Sequence, residues 1–293
     1  MNPETVDAAS FPFFDKGAWA AMFPHMHIED NDFLQRQALF QLDEASAESV
    51  STLLHKEGYV QIDPPAWGLP LADMAQVVAD LEARGLPTPF SFVYDEFWSL
   101  YFRLNKIIEV VLGKGFARLP DFWTWRIDPK QSQSGWRPHR DKGYQALFAN
   151  GSPKSLTIWI PLSDSTTLNG CMYIVPADRD PTYGTAEDKV WRFAYPDIRA
   201  LPAKAGTILC WNQAVLHWGS HASERESAAR ISVAFEFQSA SAEPFNQPLT
   251  DPYSIPDLRF RVQLIAKQIL QYKHMYPLAP DIEKMAHKML AAG

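Results

Sequence analysis

The chain has 293 residues, of which 46% are hydrophobic and 21% charged, values ordinary for a globular protein with a sizeable core. The formal net charge of −7 argues against a nucleic-acid-binding or anionic-membrane-binding protein, because both need a basic surface. No apolar run approaches the roughly 20 residues that span a bilayer. The N-terminus lacks the basic start of a signal peptide, so we expect a cytoplasmic protein.

The first third of the chain predicts mainly helices, with one strand. Residues 46–57 look helical and stop at Gly58, and residues 59–62 then form a strand. Apolar residues recur at helical spacing in two further stretches, the first of which ends before Gly85. The apolar positions are Leu71, Met74, Val77, Val78 and Leu81, and then Phe97, Trp98, Tyr101, Leu104, Ile107, Ile108 and Val111.

From Phe122 onward the chain consists of short β-prone runs separated by Pro, Gly, Asn and Asp. Such a pattern is typical of a β-sandwich or barrel. We expect a hairpin turn at Thr167-Leu168-Asn169-Gly170, between two of the strands. The predicted strands cover residues 122–127, 155–162, 171–175, 207–211 and 231–237.

After Asp251 the pattern returns to helix. An apolar stripe from Leu258 to Met275 is expected to stop at Pro277, and a last helix to cover residues 282–290. We therefore expect one domain over residues 1–293. It has a helical region at about 30–115, a β-core at about 120–240 and C-terminal helices at about 255–290. The two cysteines, Cys171 and Cys210, are expected to be reduced core residues rather than zinc ligands.

The strongest chemical signal is the segment Trp136-Arg137-Pro138-His139-Arg140-Asp141. In an extended strand alternate residues point to one face, so His139 and Asp141 can reach one point in space. A second histidine, His217, ends an apolar run that begins at Gly206, and we favour it over His221 as the third ligand. Two imidazoles and one carboxylate hold non-haem Fe(II) on one face and leave the other positions open.

Several ordered motifs give the chain a resemblance to the phytanoyl-CoA dioxygenase-like (PhyH-like) branch of the Fe(II)/2-oxoglutarate oxygenases. Residues 54–60 look like the opening helix-to-strand phrase of that family. Residues 156–162 together with 169–176 look like its central hairpin, and residues 206–230 look like its second-histidine and arginine motif. The resemblance covers roughly residues 48–237.

The resemblance implies a mainly β fold with flanking α-helices: a double-stranded β-helix, or jelly-roll, with a cupin-like core. It also implies that His139, Asp141 and His217 hold Fe(II), and that 2-oxoglutarate and O₂ are cosubstrates. Arg230 would pair with the distal carboxylate of 2-oxoglutarate, with Ser220 beside it and Trp159 nearby; Arg225 is the alternative arginine. Halide-transferring relatives have a small residue in place of Asp141, so this carboxylate favours hydroxylation or a related oxidation.

The other contacts of the site are predicted from their positions. Arg126 alternates with Thr124 on the strand before the metal motif and could point into the cavity to hold an acidic group. Trp136 and Tyr144 flank the metal pair and could wall the substrate pocket. Arg140 and Lys142 are expected to be solvated, and the irregular segment 178–201 could fold over the site as a lid.

The sequence thus predicts a 2-oxoglutarate-dependent dioxygenase that hydroxylates a small-molecule metabolite, such as an amino acid, an organic acid or a secondary metabolite. Succinate and CO₂ would be the co-products. Three alternatives stay open: a metal-dependent hydrolase or isomerase on a cupin-like barrel, a non-catalytic small-molecule-binding protein of the same fold, and a scaffold protein. A need for O₂ and 2-oxoglutarate separates the first reading from the others.

Overall fold

The computed structural model describes residues 5–8, 10–131, 135–276 and 278–292. The expected helix stop at Pro277 therefore lies outside the described residues. The helices are α1 (Lys16–Met22), α2 (Asn31–Gln35), α3 (Glu44–Lys56), α4 (Leu71–Ala83), α5 (Asp95–Phe102), α6 (Asn105–Leu112), α7 (Leu258–Gln271) and α8 (Pro280–Ala291). The strands are β1 (Tyr59–Ile62), β2 (Ala117–Ile127), β3 (Ser155–Pro161), β4 (Met172–Val175), β5 (Arg199–Leu201), β6 (Ile208–Asn212), β7 (Leu216–Gly219) and β8 (Arg230–Gln238).

The helices of the first third form largely where the apolar spacing predicts them. Asp43 caps α3 by accepting a hydrogen bond from the Ser46 backbone N–H at 2.7 Å, which satisfies a free donor of the first turn. Helix α4 is followed by Gly85 at φ +79°, the left-handed conformation that glycine tolerates after a helix end. The second apolar stretch forms two helices, α5 and α6, rather than one continuous helix.

The strands form two antiparallel sheets. The larger sheet has the order β1-β6-β3-β8-β2, and the smaller has the order β5-β4-β7. Successive side chains of a strand point to opposite faces, so the larger sheet has two different surfaces. Ile158, Val233 and Phe235 belong to the main apolar core with the helices. Trp159 and Ala234 instead belong to a second apolar cluster that includes Met172 and Ile174 of β4 in the smaller sheet.

The expected hairpin at residues 167–170 is wrong. Strand β3 lies in the larger sheet and β4 in the smaller one, so the turn between them carries the chain from one sheet to the other. Asn169 organises this crossing, because its side chain accepts from the Thr166 N–H at 2.7 Å and donates to the Asp164 carbonyl at 2.9 Å. Local turn chemistry specifies the reversal of the chain but not which strands pair across it.

The C-terminal helices pack against each other, and α7 also packs against β2. Helix α7 ends at Gln271, so Tyr272 and Met275 lie beyond the helix that their spacing predicted. Both cysteines are free and buried, as expected. Among the described residues, no helix combines the length and apolar character needed to span a bilayer. The strands and flanking helices agree with the expected mainly β fold class.

Candidate metal centre

His139 and His217 are brought together by a two-residue backbone bridge. Each backbone N–H donates to the other residue's carbonyl at 3.0 Å. His217 lies inside β7 of the smaller sheet and does not end the strand that begins near Gly206, because residues 213–215 form a turn between β6 and β7. Residue 139 is in an isolated bridge rather than a regular strand.

The three predicted ligands converge on one point. Asp141 Oδ1 lies 3.3 Å from His139 Nε2 and 3.4 Å from His217 Nε2. The three candidate ligand atoms all lie within 4.8 Å of one another. Ligand atoms that bind a metal at about 2.1 Å and at right angles to one another lie about 3 Å apart, so the spacing suits one shared ion.

Hydrogen bonds fix which ring nitrogen of each histidine faces this point. Nδ1 of His139 contacts the Arg137 carbonyl at 2.7 Å, and Nδ1 of His217 contacts the Val215 carbonyl at 3.1 Å. A carbonyl oxygen only accepts, so each Nδ1 carries the hydrogen and each Nε2 keeps a free lone pair. Nε2 of His139 is buried and has no hydrogen-bond partner among the described residues.

Hydrogen bonds fix the Asp141 carboxylate through the oxygen that is not shared with the two histidines. Its Oδ2 accepts hydrogen bonds from Thr157 Oγ1 at 2.7 Å and from Trp211 Nε1 at 3.0 Å. Thr157 in turn accepts from Gln213 Nε2 at 2.9 Å. These contacts occupy Oδ2 and leave Oδ1 for a metal, as partners behind a ligand commonly do. The sequence reasoning missed Thr157 and Trp211.

The pKa values of Asp141 and His217 favour the forms of these two residues that bind a metal. Burial lowers the pKa of His217 to about 4, so this imidazole is neutral at neutral pH. Burial opposes ionisation of Asp141, but the charges of His217 and His139 lower its pKa below the usual range. Burial also disfavours charge on His139, yet Asp141 raises the pKa of that imidazole above its ordinary value.

These residues fit an iron(II) ion. A metal needs deprotonated ligands with free lone pairs, and the triad offers a lone pair on each Nε2 and one free carboxylate oxygen. A buried imidazole nitrogen that has no hydrogen-bond partner destabilises a folded protein unless a ligand binds to it. Two nitrogens and one oxygen on a single face form the set that non-haem Fe(II) uses, with positions left open.

A cavity adjoins the triad, and aromatic side chains make up much of its lining. The predicted site residues Trp136 and Trp159 both line this cavity. The Trp136 ring lies 5.5 Å from that of His139, and its Nε1 donates to the Tyr276 hydroxyl at 2.8 Å. The aromatic lining residues are Phe122, Trp123, Trp125, Trp136, Trp159, Trp211 and Tyr272.

Arg230 lines the same cavity at the first residue of β8. It is 1% exposed, and its guanidinium carbon lies 5.5 Å from the centre of the Trp159 ring. Within the described part of the chain its Nε has no hydrogen-bond partner, and its Nη1 makes a 3.9 Å contact with the Met172 sulfur. Burial lowers the pKa of Arg230 to about 10, which still leaves it cationic at neutral pH. A buried guanidinium without a carboxylate is suited to an anionic ligand.

Two buried carboxylates that the sequence reasoning missed, Asp121 and Glu236, line the cavity as well. Lys142 Nζ lies 3.0 Å from Glu236 Oε2, so the expectation that Lys142 is solvated is wrong. Burial raises the pKa of Glu236 to about 7; Lys142 lowers it, and the charges of Asp121 and Asp141 raise it further. Glu236 could have been suspected from the β8 pattern, in which Arg230, Ser232, Ala234 and Glu236 share one face of the strand.

Arg140 is buried too, which corrects the expectation that it is solvated. Its side chain is 4% exposed and forms an ion pair with Asp180, which is 1% exposed. The guanidinium also donates to Thr182 Oγ1 at 3.1 Å and to the Asp188 carbonyl at 2.8 Å. The segment that follows residue 178 is therefore fastened onto the loop that carries His139 and Asp141.

The structure does not bring three other predicted residues to the cavity. Arg126 forms ion pairs with Glu82 at 2.7 Å and Asp128 at 3.1 Å, because the strand's alternation turns Trp123 and Trp125, not Arg126, toward the cavity. Tyr144 is 41% exposed and lies outside the cavity lining, as does Ser220. The alternative ligand His221 and the alternative arginine, Arg225, are both exposed.

The arrangement has the form of the 2-His-1-carboxylate triad of non-haem iron oxygenases. The family model for phytanoyl-CoA dioxygenase (PhyH) matches residues 75–229, just over half of the chain. The chain belongs to this family of Fe(II)- and 2-oxoglutarate-dependent enzymes, as its motifs suggested. Iron and 2-oxoglutarate are accordingly its cofactors. A search of curated proteins finds no match.

Solved structures share the fold. The epimerase SnoN from nogalamycin biosynthesis, solved with Fe³⁺, α-ketoglutarate and nogalamycin RO, aligns with a TM-score of 0.53 and 19% identity. The alignment covers 73% of this chain and 96% of SnoN. The carbocyclase SnoK from nogalamycin biosynthesis aligns with a TM-score of 0.51 and 17% identity, over 72% of this chain and 97% of SnoK.

HygX from Streptomyces hygroscopicus, solved with nickel and 2-oxoglutarate, gives a TM-score of 0.50 and 14% identity. The alignment covers 69% of this chain and 88% of HygX. At these identities the likeness concerns the fold. It confirms the expected class: a mainly β, cupin-like core with helices packed outside.

Proposed function

We propose that this protein is an Fe(II)- and 2-oxoglutarate-dependent dioxygenase that hydroxylates an unactivated C–H bond of a small-molecule metabolite. Succinate and CO₂ are the co-products. One observation carries the proposal: the cavity lined by His139, Asp141 and His217 is also lined by the buried Arg230, whose guanidinium has no carboxylate partner among the residues that the structure describes. A cavity that has both a divalent-metal site and a guanidinium able to bind a carboxylate suits a chelating dicarboxylate such as 2-oxoglutarate.

Each residue has a definite task in this proposal. His139, Asp141 and His217 would hold the ferrous ion, which when bound supplies the oxidising chemistry with O₂. Arg230 would pair with the distal carboxylate of 2-oxoglutarate, and Trp159 would hold the guanidinium plane from one side. Thr157 and Trp211 would keep the Asp141 carboxylate oriented.

The aromatic walls would exclude water and position the carbon that reacts. A dry, rigid cavity protects reactive species from side reactions and orients the target bond. Two solved structures with this fold are named as an epimerase and a carbocyclase. The product that this protein forms must therefore be identified directly. Hydroxylation adds one oxygen atom to the product, epimerisation leaves the mass unchanged, and oxidative ring closure removes two hydrogens.

The test is substrate-dependent succinate formation with Fe(II), 2-oxoglutarate and ascorbate across a metabolite panel. His139→Ala should abolish succinate formation while the thermal unfolding of the metal-free protein stays near that of wild type. His221→Ala, which removes an exposed histidine four residues from His217, is the matched control and should keep full activity. Turnover near the wild-type level in His139→Ala, or turnover without O₂ and 2-oxoglutarate, would refute the proposal and favour a metal-dependent hydrolase or isomerase.

A further inference from the structure

We propose that the substrate carries a cationic amine, which Asp121 and Glu236 bind at the end of the cavity remote from Arg230. The inference rests on the proposed function, in that it takes this cavity as the substrate site. It concerns a part of the cavity that neither the triad nor the cosubstrate uses.

The cavity has opposite charges at its two ends along β8. Arg230, Ala234 and Glu236 all line it, because residues two apart on a strand share a face. Arg230 and Glu236 are six residues apart, which corresponds to roughly 20 Å of extended strand. A dicarboxylate held at Arg230 therefore leaves the Glu236 end to another ligand.

The Glu236 end carries an excess of negative charge. Asp121 accepts hydrogen bonds from Asn246 Nδ2 at 2.9 Å and from Gln271 Nε2 at 2.7 Å, both of which are neutral amides. It forms no ion pair with any residue that the structure describes. Lys142 pairs with Glu236 at 3.0 Å.

Lys267 donates to the side-chain oxygen of Asn246 at 3.0 Å and forms no ion pair with Asp121 among the described residues. Two carboxylates thus share one ammonium group. Asp141 is the third carboxylate of the cavity, and a bound metal ion offsets its charge. A buried charge without a partner is unfavourable, so a ligand that brings one positive charge is favoured there.

Gln213 supports Glu236 without lining the cavity itself. Its fully buried side chain donates to Thr157 at 2.9 Å and lies within hydrogen-bonding reach of Glu236.

The walls between the two ends are suited to a cation as well. Trp123 and Trp136 both contact Tyr272, with ring centres 5.2 Å and 5.1 Å apart, and all three rings line the cavity. Aromatic faces attract ammonium groups, and a carboxylate beside them adds charge attraction. Anionic groups would be repelled by Asp121 and Glu236. The same cavity also has to hold the cosubstrate.

The experiment measures binding of a matched series of small amines and their isosteric alcohols, from propylamine to benzylamine and phenethylamine. The protein is first loaded with Fe(II) and 2-oxoglutarate without O₂, and their visible charge-transfer absorption shows that the complex has formed. Quenching of tryptophan fluorescence then gives the dissociation constants. We expect at least one amine to bind about tenfold or more tightly than its alcohol isostere.

Variants tie the selectivity to the two carboxylates. Glu236→Gln and Asp121→Asn should each weaken binding of that amine about tenfold or more and leave the alcohol unchanged. Glu224→Gln, at an exposed glutamate, is the control and should bind as wild type. Unfolding curves and the charge-transfer band show that each variant is folded and loaded.

The proposal is overturned if no amine of the series is preferred over its alcohol, or if the preference persists in both Glu236→Gln and Asp121→Asn. Failure of the iron and 2-oxoglutarate complex to form would count against the proposed function instead. In that case the same amine and alcohol series on the metal-free protein still decides whether the carboxylate end selects cations.

Discussion

Thr157 donates its hydroxyl hydrogen to Asp141 Oδ2 at 2.7 Å and accepts one from Gln213 Nε2 at 2.9 Å. The carboxylate that completes the triad is therefore oriented by a side chain on β3 that does not itself reach the metal position. Partners of this kind often matter to metal affinity almost as much as the ligands do.

Replacing Thr157 by valine should weaken Fe(II) binding by about 10- to 100-fold, because Asp141 loses the donor that fixes its rotation. Equilibrium titration with Fe(II) or Co(II) under anaerobic conditions measures the change. Thr124→Val is the matched control: its hydroxyl, on the opposite face of β2, lies 3.1 Å from Ser91 Oγ. This control should lose about 1 kcal/mol of stability but bind metal normally. Equal metal affinities in the two variants would contradict the assigned role.

Arg230→Met should raise the KM for 2-oxoglutarate by about 100-fold and at the same time stabilise the apo protein by about 1 kcal/mol. The first effect follows from losing the partner of a carboxylate, and the second from removing a buried cation that has no carboxylate partner. Succinate kinetics and urea unfolding measure the two effects. Arg225→Met removes an exposed arginine and should change neither quantity by more than the experimental error. An unchanged KM for 2-oxoglutarate in Arg230→Met would show that Arg230 does not bind the cosubstrate.

Arg140→Ala should lower the free energy of unfolding by about 3 kcal/mol, because it leaves Asp180 buried without a cation. The matched control is Arg192→Ala, which removes an exposed pair with Glu187 whose side chains are 60% and 62% exposed. That control should cost less than about 0.5 kcal/mol. A double-mutant cycle with Asp180→Asn should give a coupling above about 1 kcal/mol. Similar losses in both single arginine variants would show that the segment after residue 178 is not held by this ion pair.

Glu236 should make the stability of the metal-free protein depend on pH. Its folded-state pKa of about 7 is above the roughly 4.3 of an unfolded glutamate, so the folded state binds the proton more tightly. This contribution to stability is complete below about pH 4 and is lost as the pH rises through 7. Glu236→Gln has no carboxyl group at this position, so this loss of stability with rising pH should be absent in the variant.

The variant should therefore gain stability relative to wild type as the pH rises from 5 to 8, by at most about 3 kcal/mol. Urea unfolding at several pH values in this range is the measurement, and Glu224→Gln is the control. A difference between Glu236→Gln and wild type that is constant with pH would be inconsistent with a raised pKa for Glu236.

Much of the metal centre could be predicted from the chain itself. The spacing of His139 and Asp141, and the apolar context of His217, identify the three residues that the structure brings together. Ligand chemistry restricts the choice of residue types so strongly that order and spacing carry most of the information. Helical and strand periodicity likewise places most elements, because it reports which face of a segment is buried.

The tertiary structure decided which charged residues line the cavity. Arg126 had the right charge for a substrate contact, but the pairing of β2 with β8 turns Trp123 and Trp125 to the cavity and leaves Arg126 outside. Arg140 and Lys142 looked like surface residues because a charged residue in a polar segment is usually solvated. Their partners, Asp180 and Glu236, are 40 and 94 residues away in the chain, and only folding brings them within reach.

The chain alone thus predicted the three candidate ligands, the class of fold and the family, since these depend on residue type, order and local periodicity. The packing of the two sheets decided which strands pair across the turn at Asn169 and which face of β2 is enclosed. It also decided that Asp121 and Glu236 line one cavity. Such contacts join residues far apart in sequence. Local propensity is nearly the same for each of the alternative pairings, and only burial and charge compensation in the folded protein select one of them.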